Sequence, residues 1–157
     1  MATNMKENGF ETLIVRYLVD NNHYEEGLNS EYNKTYAIDE GRLFRFLNDT
    51  QYKKMQELRI EESEIEKKKF LDRLSRKLSD DGVINIIRKG VKYKNHTLDF
   101  YMVQPSDGNV EAAKSYNKNI FSVTRQLRYS GDYGKLALDL CIFLNALPII
   151  TMELKNQ

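Results

Sequence analysis

The chain reads as an α/β (α+β) domain in which helices pack on a central mixed sheet. Three observations predict this. Apolar residues recur at helical spacing up to about Gly90, and alternating or continuous apolar runs dominate from there on. A chain of 157 residues is also long enough to bury one real core. Helices therefore come first, over about 9–89, and a sheet follows, over about 91–155, within one expected domain, 1–157.

The first helix starts at Gly9. Phe10, Leu13, Ile14, Tyr17 and Leu18 share its apolar face, and Asn21 and Asn22 end the pattern. Residues 24–38 are irregular, with a short strand at their end. A second helix runs through DEGRLFRFLNDTQ, with Asp39 as its cap and Leu43, Phe44 and Leu47 on one face. The following stretch is dense in charge. Glu64 precedes Lys68, and Asp72 precedes Arg76, at the spacing of paired charges on an exposed helical face. Leu71, Leu74 and Leu78 supply its buried stripe. Another short helix, GVINIIRKG, ends near Gly90.

Beyond Gly90 the period changes. VKYKNHTLDFYMV reads as a hairpin turning at Asn95 and His96. QPSDGN is a loop, and VEAAKSYNK a short helix. In NIFSVTRQLRY, Ile120, Ser122, Thr124 and Gln126 alternate with Phe121, Val123, Arg125 and Leu127, which is a strand signature; SGDYG then breaks it. Residues 136–144 and 147–154 form the last two strands, joined at Asn145 and Ala146. Their nearly continuous apolar runs imply burial on both faces.

Composition narrows the functional classes. With 41% apolar and 30% charged residues the chain is an ordinary globular sequence, not a disordered one. A net charge of +1 supplies no global field toward nucleic acid or membrane, so any such contact needs a local basic patch. The lone Cys141 sits in an apolar run and reads as a core residue of a cytoplasmic protein. His23 and His96 have no second ligand at zinc spacing, and no phosphate-binding GxxxxGK[ST] loop occurs. No apolar run approaches the roughly 18 residues that a membrane span needs.

Against this background three charges stand out in the apolar C-terminal strands: Asp139, Glu153 and Lys155. A charge in a buried strand needs a partner, because burying it alone costs several kcal/mol, roughly. Glu153 and Lys155, two apart, share a strand face. Whether Asp139 joins them depends on register. A strict two-residue turn would pair Leu144 with Leu147 and Asp139 with Met152, on opposite faces from Glu153. A three-residue loop, or a bulge, would pair Asp139 with Glu153. One of these two is expected, because facing carboxylates make an oxygen-rich site for a hard cation such as Mg2+. Such an ion with a lysine beside it suits phosphodiester hydrolysis. The same residues also read as a salt bridge at the sheet rim, with Lys155 neutralising Glu153.

From Gly9 to Asn156 the sequence resembles the N-terminal region of the restriction (R) subunit of type I restriction–modification enzymes. The likeness rests on GFE, YAIDEGRLFRFLNDTQ, IIRKGV, LDFYMVQPSDGN, NIFSVTRQLRYS and, above all, LDLCIFLNALPIITMELKN. Ala146 stands where the family usually has glycine, and Leu138 where its short name, PD-(D/E)xK, has proline. The resemblance implies a restriction-endonuclease-like fold and a DNA endonuclease. It implies Asp139 and Glu153 as metal-binding acids, Lys155 as the catalytic lysine, and Glu11 as a further acid near the metal. It also implies Mg2+ as cofactor, with ATP needed only by motor domains that are not in this sequence. Expected partners are double-stranded DNA and the modification and specificity subunits, with no membrane. The family pattern continues past ELKN, so this chain is expected to be truncated on its C-terminal side.

Two basic runs could meet phosphates: Arg88, Lys89, Lys92 and Lys94, and Lys114, Lys118, Arg125 and Arg128. Arg125 and Arg128, with Gln126 between them, are the preferred DNA contacts because they lie just upstream of the site strands. Two competing readings stay open: a non-catalytic module that docks on other subunits, and a stand-alone repair nuclease of the same fold.

Overall fold

The computed structural model describes residues 2–131 and 136–155. In chain order its elements are helix α1 (Ala2–Asn22), strand β1 (Glu25–Gly27), a 3-10 turn (Asn29–Glu31), β2 (Tyr32–Asn33), β3 (Ile38–Asp39), α2 (Glu40–Leu58) and a second 3-10 turn (Ile60–Glu62). There follow α3 (Glu64–Asp81), α4 (Val83–Lys89), β4 (Val91–Tyr93), β5 (His96–Leu98), α5 (Val110–Tyr116), β6 (Phe121–Arg128), β7 (Ala137–Leu144) and β8 (Leu147–Met152). The later part of the SGDYG break lies outside the described residues. The elements form two compact units, one made of residues up to Glu40 together with those from Ile120 on, the other of Gly41–Asn119.

The first unit holds a four-stranded sheet in the order β1-β6-β7-β8. It is mixed: β1 runs parallel to β6, and the other pairs are antiparallel. The expected α/β class with a mixed sheet and packed helices is therefore the one found. Val15 of α1 packs with Val123, Leu140 and Ile142 on one face of the sheet. Leu127, Cys141 and Phe143 pack on the other face, with Tyr32 and Leu138 against them.

The turn between β7 and β8 is the tight one: Leu144 pairs with Leu147, and Asn145 and Ala146 both take positive φ, 49° and 77°. Alanine there is strained, yet Asn145 anchors the turn. Its N–H donates to the Ile120 carbonyl at 2.8 Å, and its Oδ1 accepts from the Ile120 N–H at 2.6 Å. Register is then shifted by a bulge. Phe143 pairs with Pro148 but Ile142 pairs with Ile150, leaving Ile149 as the extra residue. Of the two devices expected from the sequence, a longer loop or a bulge, the bulge is the one present, and the register ends with Leu140 opposite Met152, the last residue of β8.

Two sequence expectations change in this unit. The face of α1 that reaches the sheet carries Val15, Ile14, Leu18 and Val19, while Phe10, Leu13 and Tyr17 are exposed. The apolar stripe read from the sequence is thus rotated, and Glu11, one turn before Val15, comes to lie on the buried face at 5% exposure. Alternation along β6 also breaks. Gln126 has φ +46°, and after it Leu127 packs with Cys141 on the face opposite to Val123.

In the second unit, α2 bends at Gln51, whose backbone is non-helical (φ −139°, ψ 37°). Its amide grips the backbone of Asp99 at both ends: Nε2 donates to the carbonyl at 2.9 Å and Oε1 accepts from the N–H at 2.8 Å. Helix α3 starts on the Ser63 cap and buries Phe70, Leu71 and Leu74, with Leu78 only half-buried. Among its described ion pairs are Glu66–Lys69 at 2.6 Å and Lys77–Asp81 at 3.1 Å. The β4–β5 hairpin turns at Lys94 and Asn95, one residue earlier than expected, with Tyr93 opposite His96. Gly90 ends α4 with φ +69°, and a Cβ there would collide with the Leu98 carbonyl. Among the described residues, no helix is long and apolar enough to cross a membrane.

Candidate active site

The site grows out of the break in β6. A left-handed residue inside a strand costs roughly 1–2 kcal/mol for a side chain other than glycine. Asn29, from the 3-10 turn after β1, holds the break in place. Its Nδ2 donates to the Arg125 carbonyl at 3.2 Å, and its Oδ1 accepts from the Arg128 N–H at 2.8 Å. These bonds catch backbone groups on either side of Gln126 and leave its side chain turned toward α1.

There Gln126 meets two of the acids singled out in the sequence. Its Nε2 donates to Glu11 Oε2 at 2.9 Å and to Asp139 Oδ1 at 3.2 Å. The other Asp139 oxygen, Oδ2, accepts from the Leu154 N–H at 2.6 Å. Asp139 is thus tied on one side to α1 through Gln126, and on the other to the backbone between Glu153 and Lys155. Glu153 and Lys155 are both exposed, flanking the half-buried Leu154. Among the described residues, no three His, Cys, Asp or Glu side chains are gathered closely enough to hold a metal ion together. The group that is gathered is Glu11, Gln126 and Asp139, with Glu153 in the segment that follows β8.

The donor chemistry of this group suits a hard divalent cation. Carboxylate oxygens of Glu11 and Asp139 already face one common electropositive atom, Gln126 Nε2. Soft ligands are absent from it. The single cysteine, Cys141, lies buried in β7, and desolvation pushes its thiol up to about 12.

The predicted basic contacts divide. Arg125 is engaged within the fold: Nε donates to Glu26 Oε1 at 3.1 Å and Nη1 to Thr12 Oγ1 at 3.1 Å. Lys94 pairs with Glu66 at 2.9 Å, Lys114 with Glu111 at 2.9 Å, and Lys118 donates to the Asp49 carbonyl at 2.8 Å. The Arg128 side chain is exposed, next to the Asn29-held backbone. Sequence reasoning missed Asn29 altogether. An asparagine in an irregular stretch carries no signal that it will clamp a strand 96 positions away.

This mixed α/β unit, in which Glu11 of α1 and Asp139 of β7 meet at Gln126, agrees with a family match over nearly the whole chain. Residues 6–157 match the model of the type I restriction enzyme R protein N terminus, and the chain belongs to that family. No curated protein and no solved structure is similar enough to the chain to count as a match.

Proposed function

We propose that this chain is the nuclease module of a type I restriction enzyme R subunit, a magnesium-dependent endonuclease acting on foreign double-stranded DNA. The observation that carries the reading is the 2.6 Å hydrogen bond from the Leu154 N–H to Asp139 Oδ2. It fastens the acid of β7 to the Glu-x-Lys end of β8, so that Asp139, Glu153 and Lys155 belong to one local structure despite their separation in sequence.

Asp139 and Glu153, with Glu11 from the helix side, would hold the cation. When bound there, Mg2+ supplies positive charge that polarises a phosphoryl oxygen and makes water more acidic. Lys155 would donate from Nζ to negative charge developing on the phosphate, and orient the attacking water. Arg128 contributes a phosphate contact from the exposed end of β6. In the longer subunit this module acts with ATP-driven DNA-translocating motor domains and with modification and specificity subunits, in the cytoplasm.

The test is a titration of Mg2+ and Mn2+ into the 157-residue chain and its Asp139→Ala variant, followed by calorimetry. Binding by the native chain that the variant loses is the expected result. Equal binding by the two removes Asp139 from the site and overturns the reading.

A further inference from the structure

Gln126 is the least expected member of the group. It occupies a conformation that a side-chain-bearing residue rarely adopts in a strand, φ +46°. That conformation is held by Asn29 from another element. Its one amide nitrogen lies within hydrogen-bond distance of two carboxylates from two different elements, α1 and β7. Glu11 is buried, so its carboxylate needs a donor, while Gln126 itself is solvent-exposed.

We propose that Gln126 is a positioning residue that acts as a removable placeholder for the cation. Its neutral Nε2 bridges Glu11 and Asp139 while no cation is bound, and the amide leaves when a divalent ion enters between them. The idea rests on the nuclease reading above and adds to it a cost. Cation binding has to break two hydrogen bonds to charged acceptors before the carboxylates can turn to the ion. A hydrogen bond to a charged group is worth enough to shift an affinity by about tenfold. The bridge therefore keeps the two acids assembled in the resting chain and lowers its affinity for free cation.

The variant Gln126→Gly tests this, because glycine adopts the left-handed conformation freely and leaves the break in β6 in place. Mn2+ affinity is measured by calorimetry on the 157-residue chain. The variant is expected to bind Mn2+ about tenfold more tightly than the native chain, since the competing donor is gone. It should also show a lower melting temperature without cation, and a larger rise when cation is added. Gln126→Glu, which replaces the donor with a third acid, should bind more tightly still and be the least stable without cation. In the native chain, Mg2+ should shift the Gln126 side-chain amide resonances and speed their exchange with solvent.

If native binding is measurable but Gln126→Gly binds with equal or weaker affinity, the placeholder role is overturned while the metal site stands. Amide resonances that stay fixed through a saturating Mg2+ titration overturn it in the same way. If neither chain binds Mn2+, the placeholder and the nuclease reading fall together.

Discussion

Asn145 and Cys141 show how much single residues decide in this sheet. Asn145 is fully buried, turns the chain at φ 49°, and exchanges two hydrogen bonds with Ile120. Asn145→Ala removes the acceptor, strands a buried N–H, and asks alanine to hold a left-handed backbone. The expected loss is about 2–3 kcal/mol in a denaturant titration, from the orphaned donor and the backbone strain together. Cys141 makes a different prediction. Burial raises its thiol from 9.0 to about 12. The folded chain therefore keeps a proton that the unfolded chain releases, and the difference opens as pH rises above the unfolded value. The thiol's stabilising contribution is whole below about pH 9 and is lost progressively as pH climbs toward about 12. Stability measured at about pH 8 and about pH 10.5 should fall less in Cys141→Ala than in the native chain. A slope that is identical in both chains would mean the thiol ionises freely in the folded state. In the native state at neutral pH, a thiol reagent should label Cys141 only as fast as the sheet opens.

At the scale of elements, the devices that build the site are breaks in regular structure. Asn29→Ala deletes both bonds that frame Gln126, so the Arg128 amide should lose its protection from hydrogen exchange while amides at the turn end of β6, such as Val123, keep theirs. Gly90→Ala places a methyl group against the Leu98 carbonyl at a positive φ, and a loss of about 2 kcal/mol or more in chemical denaturation is expected. These breaks also explain what could be read beforehand. The strands of 121–128 and 137–152, and their placement late in the chain, are written in alternation and in apolar runs, which are local signals. So is the end of α4 at Gly90. A register shift between the last two strands was deducible as a requirement, since two charges in apolar strands need company, and a longer loop or a bulge would supply it; which of the two the chain uses was not. Ala146 fits a tight turn poorly, and the chain tolerates it because Ile120, 25 positions away from Asn145, completes that residue's hydrogen bonds. The rotation of α1 that buries Glu11, and the flip at Gln126, likewise depend on tertiary partners. Leu13 and Val15 are equally apolar to a periodicity count, and only the sheet selects Val15.

Across the whole molecule, the distribution of charge bears on the proposed DNA contact. The chain carries 24 lysines and arginines against 23 acids, and several of the basic residues singled out in the sequence are already committed. Arg125 is engaged by Glu26, Lys94 by Glu66, and Lys114 by Glu111. Under the proposed function, phosphate contacts come from exposed cations outside these pairs, among them Arg128 in the first unit and Arg88, Lys89 and Lys92 in the second. Each phosphate neutralised contributes about −0.9 to the slope of log affinity against log salt for duplex DNA, so a footprint of two to four contacts gives a slope of roughly −2 to −4. A fluorescence-anisotropy titration of the chain with a short duplex, repeated over a range of salt, measures it. Arg128→Ala should bring the slope closer to zero by about one unit, and Arg125→Ala should leave it unchanged, because the Arg125 guanidinium serves Glu26 and Thr12. A native slope of about −7 or steeper would mean that the internal pairs open to release further cations onto DNA. Lys155 separates binding from chemistry in the same assay. Its ammonium is two residues beyond Glu153, so Lys155→Ala should leave cation affinity within about twofold of native and duplex affinity lower by one contact at most. Cleavage by that variant should fall by a factor of about 100 or more, the range for losing a positioned general acid–base or charge-stabilising group. Asp139→Ala should lose cation binding and cleavage together. If Lys155→Ala instead cuts as fast as the native chain, the lysine is a rim charge of the sheet, and the chemistry has to be assigned to the acids and the cation alone.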